Sequence, residues 1–155
     1  MVEPGQPAPD FTLASDGGGE VTLSALRGKP VVLYFYPKDD TPGCTKQACA
    51  IRDDWGAFER YGAVVLGVSP DGTESHDSFR EKFSLPFALL SDPDHAVAEV
   101  YGAWGEKKNY GKTYHGIIRS GFVIDADGTL AAAKRNVRAT AHKDWALAEL
   151  AKLAG

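Results

Sequence analysis

The stretch DDTPGCTKQAC holds Cys44 and Cys49, the two cysteines of the chain, directly after a run of strand-forming residues. Pro42 and Gly43 separate that run from a helical pattern, so Cys44 falls in the first turn of a helix. Backbone N–H groups there lack intrahelical partners, and a negative sulfur is favoured. A free thiol of ordinary pKa is a few per cent thiolate at neutral pH, so complete ionisation gains roughly thirtyfold at most. Enzymes accelerate their reactions by about a millionfold or more, so positioning and charge stabilisation must supply most of the effect. A thiolate that attacks a peroxide O–O bond expels an oxyanion. The Thr41 hydroxyl, the Cys44 backbone N–H and a guanidinium are groups suited to hold such oxygens, and Arg119 is the candidate guanidinium.

Each of these residues has a plainer reading. A lone cysteine is more often a small buried hydrophobe than a nucleophile, and it is the TPGC placement that favours the nucleophile at Cys44. The C-x4-C spacing to Cys49 is not the C-x-x-C of disulfide oxidoreductases. Arg119 taken alone reads as a strand arginine in a surface ion pair. His76, His95, His115 and His142 are scattered without ligand spacing, and two cysteines five apart do not complete a tetrahedral zinc site, so no metal or other cofactor is implied. Tyr36, Trp104 and Tyr110 read as core or as walls of the site.

The elements that must position these residues follow from periodicity. FTLASDGGGEVTLSAL reads as two short strands around a glycine turn, an N-terminal hairpin with no helix start after it to cradle a phosphate. The apolar, β-branched and aromatic run Val31 to Tyr36 is that of a central strand buried on both faces. Beyond Pro42 the period changes: Cys44, Ala48, Ile51, Trp55 and Phe58 recur at helical spacing and share one face, so Cys44 begins a core-facing stripe. AVVLGVS is a second buried strand, TESHDSFREKF a polar helix capped by Thr73 or Ser75, PFALLSD a third strand, and PDHAVAEVYG a short helix. HGIIRSGFVIDADGTLAAAKRNV reads as two strands joined at DADG. The tail from Thr140 is a helix burying Ala146, Leu150 and Leu153. The expected fold is α/β, a thioredoxin-like mixed central sheet with helices on both faces.

Composition sets the outer bounds. The 155 residues, 43% hydrophobic and 25% charged, suit a single domain spanning 1–155 with a real core. A net charge of -4 gives no basic footprint for nucleic acid or an anionic membrane surface. No signal-like segment opens the sequence and no run approaches the length of a membrane span, so the expected location is the cytoplasm. A reducing cytosol would not keep a structural bridge closed between two cysteines, which leaves thiol chemistry.

YPKDDTPGCTKQAC, WGEKKNYGKTYHGIIRSGFVID and the spacing between them resemble the PrxQ peroxiredoxins, also called bacterioferritin comigratory proteins, over nearly the whole chain. The P-x-x-x-T-x-x-C signature of that family matches Pro37, Thr41 and Cys44, and its active-site Arg matches Arg119. The resemblance implies a thiol peroxidase acting on hydrogen peroxide and organic hydroperoxides. Cys44 would be the peroxidatic cysteine, Thr41 and Arg119 would orient the peroxide, and Pro37, Pro42 and Gly43 would line the substrate site, with Pro42 shielding the sulfenic acid. Cys49 matches the resolving cysteine of members that carry one in this helix. The resemblance further implies recycling by thioredoxin or a similar dithiol reductant, and a monomer. Gly121 departs from the Thr or Ser that often follows the RS pair, and a packing consequence is expected there. The alternatives left open by the residues themselves are a protein disulfide oxidoreductase and a non-catalytic binding module of the same fold.

Overall fold

The structure, a computed structural model, describes all 155 residues. Strand β1 (Thr12–Ser15) turns back through the glycines into β2 (Glu20–Thr22), followed by β3 (Val31–Phe35), α1 (Pro42–Asp53), α2 (Trp55–Arg60), β4 (Val64–Ser69), α3 (Thr73–Phe83), β5 (Ala88–Ser91) and α4 (Ala96–Tyr101). A hairpin of β6 (Trp104–Asn109) and β7 (Lys112–Ile117) comes next, then β8 (Ser120–Ile124), β9 (Leu130–Lys134) and α5 (His142–Ala154). Seven strands form one mixed sheet in the order β2-β1-β5-β4-β3-β8-β9, while β6 and β7 pair only with each other. Strand β3 runs parallel to β4 and antiparallel to β8, so it lies inside the sheet with every residue buried.

Alternation along β3 divides the core. Val31, Leu33 and Phe35 join Leu66, Val68, Phe122 and Ile124 on the face covered by α4 and the N-terminal segment. Val32, Tyr34 and Tyr36 join Val65, Leu89 and Val123 under α1, α2, α3 and α5. Helices therefore lie on both faces, in the thioredoxin-like arrangement that the alternating pattern implies.

Five local readings are corrected. The helical stripe after Pro42 breaks at Asp54 into α1 and α2, with Trp55 only half-buried, although Cys44, Ala48, Ile51 and Phe58 are buried as the spacing requires. Helix α3 is capped at Gly72, not at Thr73 or Ser75, because the Ser75 hydroxyl donates to Asp39 instead. In α5, which begins at His142, Ala146 and Leu150 are buried but Leu153 is exposed. Finally, HGIIRSGFVID is not one strand: His115 to Ile117 close the β6–β7 hairpin, and Ile118 and Arg119 link it to β8. That hairpin is largely solvated on both faces, so its strands carry no apolar alternation to read. Its turn at Tyr110 and Gly111 takes positive φ at both positions, which fits a two-residue hairpin. Tyr110, read as core or a site wall, is 98% exposed at that tip.

Candidate active site

Strand β3 ends beneath the loop of residues 37–41, which delivers the chain to α1. Pro42 occupies the first helical position, where its missing N–H costs nothing, and Thr41 is the N-cap in extended conformation. The Thr41 hydroxyl does not cap the helix. It donates to the Lys38 carbonyl at 2.8 Å, so the lone pairs on that oxygen are what it offers to a neighbour.

Cys44 is 2% exposed and sits one turn before Ala48 on the buried face of α1. Arg119 reaches it from the link before β8, 75 residues along the chain: Nη2 donates to Cys44 Sγ at 3.4 Å, and Nη1 donates to the Gln47 side-chain oxygen. The same guanidinium packs against Gly43, where a Cβ would come within 3.1 Å of Nη2. Gly43 therefore admits the arginine to the first turn of the helix. A sulfur facing both a guanidinium fork and a helix N-terminus is placed to carry negative charge.

Arg119 also borders an open cleft of about 480 Å³ with Pro37, Lys107, Ile118 and Val137. Lys107 anchors the hairpin here by donating from Nζ to the Ile117 carbonyl at 2.8 Å. Burial holds the Lys107 amine below its ordinary pKa and the charge of Arg119 adds to this, with Cys44 opposing.

Cys49 is half-buried further along α1, and both thiols are free. Burial pushes the Cys49 thiol up, with the Arg52 charge opposing and Asp53 reinforcing. On an intact helix, residues five apart point about 140° from each other around the axis, so the fold brings Cys44 to Arg119 but not to Cys49.

Three neighbours escaped sequence reading. Gln47 lies one turn from Cys44 and is fully buried; its signal was a polar residue interrupting an apolar stripe. Tyr34 was hidden inside an apolar run, and its hydroxyl is buried without a partner. Burial, reinforced by the nearby Cys44, holds the Tyr34 phenol well above its ordinary pKa, so it stays protonated. His142, at the start of α5, stacks obliquely on Tyr34 with centroids 5.1 Å apart, and neither ring nitrogen finds a partner. Gly121 makes room for it: a Cβ there would lie 2.7 Å from the His142 ring and 2.8 Å from Trp145. That is the packing consequence expected of the departure at Gly121.

Burial, with the charge of Arg119 added, pushes His142 down from 6.5 to about 3. Unfolded, the ring binds a proton as pH falls below about 6.5; folded, it does not until about 3. The unfolded state thus holds more protons across that window, and stability falls with falling pH by up to about 1.4 kcal/mol per pH unit from this one group. A His142→Leu variant should accordingly show a shallower loss of stability than the native chain in urea titrations between pH 6.5 and 4.5. Parallel slopes would mean that the native state takes up the proton as easily as the unfolded chain does.

Fold and site together define a thioredoxin-like enzyme that works through a cysteine. Residues 4–133 match the AhpC/TSA family. The peroxiredoxin Bcp of Bacillus subtilis is 50% identical over 149 residues, covering 96% of this chain and 95% of that protein. The peroxiredoxin Bcp of Escherichia coli K12 is 45% identical over 146 residues, 94% of each. Among solved structures, the Xanthomonas campestris bacterioferritin comigratory protein, studied for alkyl peroxide reduction through trapped intermediate and ligand complexes, is similar at a TM-score of 0.91 and 38% identity, covering 99% of this chain and 100% of that one. PrxQ of Xylella fastidiosa gives a TM-score of 0.93 at 33% identity, covering 100% of this chain and 99% of that one. The chain belongs to the AhpC/TSA family and is a peroxiredoxin of the Bcp, or PrxQ, kind, a thiol-dependent peroxidase.

Proposed function

We propose that Cys44 is the residue that attacks the peroxide and that Cys49 resolves the product. The thiolate sulfur of Cys44 attacks one peroxide oxygen, the O–O bond breaks, and the departing oxygen leaves with a proton as water or an alcohol, so that Cys44 becomes a sulfenic acid. The Cys49 thiol then attacks that sulfur, water departs, and a disulfide forms. A thioredoxin or similar dithiol protein reduces the disulfide and restores both thiols. Hydrogen peroxide and organic hydroperoxides are the substrates of this reading.

The observation that carries it is the 3.4 Å contact from Arg119 Nη2 to Cys44 Sγ at the first turn of α1. A guanidinium there favours the thiolate, and its N–H groups beyond those on Cys44 and Gln47 can meet the oxyanion that develops as the O–O bond breaks. Thr41 takes a complementary part: because its own proton goes to Lys38, its oxygen is free to accept the O–H of a hydroperoxide and so to aim the attacked oxygen. Pro37, Pro42 and Gly43 would form the walls around it, Pro42 beside the sulfur and Gly43 beneath the guanidinium.

Arg119→Lys tests the reading, since lysine keeps the charge and loses the planar fork. Peroxide attack measured by stopped flow should slow by roughly a hundredfold, more than the change in thiolate fraction measured by ultraviolet absorbance explains. A rate loss equal to the lost thiolate alone would confine Arg119 to ionising Cys44.

No helix is long and apolar enough to cross a membrane. With free thiols as the working state, the cytoplasm is the compartment that suits the chemistry, and a single-domain monomer with no nucleic acid or membrane partner completes the reading.

A further inference from the structure

The loop of residues 37–41 has no regular structure, yet it is tied down at a buried point. Asp39 is 7% exposed and its carboxylate receives three side chains. Tyr36, at the end of β3, donates its hydroxyl to Oδ1, while Ser75 donates at 2.8 Å to Oδ2, which His76 Nδ1 also meets at 2.6 Å. His76 itself is fully buried, and its other nitrogen lies 2.8 Å from the Leu90 carbonyl. A carbonyl only accepts, so Nε2 carries a proton, and a carboxylate already receiving two hydroxyls fits a second proton on Nδ1. Burial alone would push His76 down, but its bond to Asp39 and the Asp39 charge outweigh that and hold its pKa above the ordinary value. The backbone of the loop is fixed as well: the Asp39 N–H donates to Asp71 Oδ2 at 2.6 Å, and Ser91 from β5 holds the Asp71 carbonyl at 2.7 Å. At the next residue, Asp40 takes a left-handed conformation with φ 55° and reaches Lys82 on α3.

We infer that His76 and Asp39 are positioning residues for peroxide reduction: the His76–Asp39 pair locks the loop to α3 and so sets where the Thr41 oxygen stands relative to Cys44. The inference rests on the reading of Cys44 and Thr41 given above. Neither His76 nor Asp39 is assigned contact with the substrate. Thr41 is two residues beyond Asp39, and its hydroxyl is oriented by the Lys38 carbonyl of the same loop, so loosening the Asp39 side chain shifts both the residue and its hydrogen-bond partner even while the Asp39 N–H stays on Asp71. A displacement of about an ångström at a reacting centre costs up to about a hundredfold in rate.

The pair can be tested without abolishing the fold, because neutral replacements preserve its geometry. Asp39→Asn keeps an oxygen for the Tyr36 hydroxyl and presents an amide donor to a neutral His76 whose Nε2 still donates to Leu90. His76→Asn retains a donor near the place of Nδ1. Asp39→Ala removes every side-chain bond to position 39, and His76→Leu removes the imidazole bond while Tyr36 and Ser75 still donate to the carboxylate. Two rates are measured on each reduced, folded variant: consumption of hydrogen peroxide, and alkylation of Cys44 by iodoacetamide followed by mass spectrometry. Alkylation needs the thiolate but not an oriented peroxide.

Asp39→Ala and His76→Leu should lose about tenfold in peroxide rate while alkylation of Cys44 holds, and both asparagine variants should recover most of the loss. Equal loss in both rates, unchanged peroxide rates in the two severed variants, or no recovery with asparagine would each overturn the inference. Its failure is distinct from failure of the underlying reading, which would appear as peroxide consumption surviving Cys44→Ser.

Discussion

Cys44→Ser should leave no peroxide reduction above the uncatalysed background, a loss on the order of a millionfold. A serine hydroxyl at the same place is far less acidic than a thiol and cannot become the anion that Arg119 and the helix terminus are arranged to hold. No second thiol stands in. Cys49 lies inside the helix, its thiol is pushed up by burial, and the Arg119 fork is taken by Cys44 and Gln47. Cys49→Ser should behave in the opposite way. It should complete one turn at the native rate, stop at the Cys44 sulfenic acid, and run on to the sulfinic acid in excess peroxide unless an added thiol intercepts it. Peptide mass spectrometry after substoichiometric peroxide distinguishes the two: first oxidation found at Cys49 would reverse the assignment.

The second large effect is conformational. Two residues five apart on an α-helix have Cα atoms about 8 to 9 Å apart, whereas a disulfide needs them within roughly 7 Å with converging Cβ atoms. Helix α1 runs unbroken from Pro42 to Asp53, so the bridge between Cys44 and Cys49 cannot close on it. Ile51 is fully buried against the sheet, which places the holding point in the far half of the helix. Oxidation should unwind the chain from about Pro42 through Cys49, and hydrogen exchange at residues 43–50 should speed up by at least about a hundredfold in the oxidised protein. The same motion should take Cys44 from Arg119 and carry Gln47 out of the core, so the oxidised form should be inert to peroxide and open to a reductant. Equal protection of these residues in both redox states would mean that Cys49 does not resolve Cys44 within one chain.

What could be read in advance depended on whether the signal was local. The run Val31 to Tyr36 announces an interior strand because both faces are apolar, and the spacing of Cys44, Ala48 and Ile51 marks the buried side of α1. Arg119 meets Cys44 across 75 residues; no local pattern links the two, and the candidate guanidinium and the motif resemblance both fall on it. Nothing local links Asp39 to His76 across 37 residues, or His142 to Gly121. The hairpin of β6 and β7 was invisible for a different reason. Solvent on both faces removes the alternation by which strands are recognised, and pairing between the two strands then supplies what periodicity does not.

The close approach of Gly121 to His142 and Trp145 also constrains the order in which these positions can change over evolutionary time. A lineage that acquires Thr or Ser at 121 while the imidazole is in place passes through an overpacked intermediate, destabilised by about 1 to 3 kcal/mol. One that first exchanges His142 for a smaller side chain removes the nearer clash and leaves Trp145, 2.8 Å from the new Cβ, as the neighbour that must shift. Glycine at 121 is permissive for the ring, and the ring in turn penalises any side chain at 121, so the two positions are coupled although they lie 21 apart in the chain.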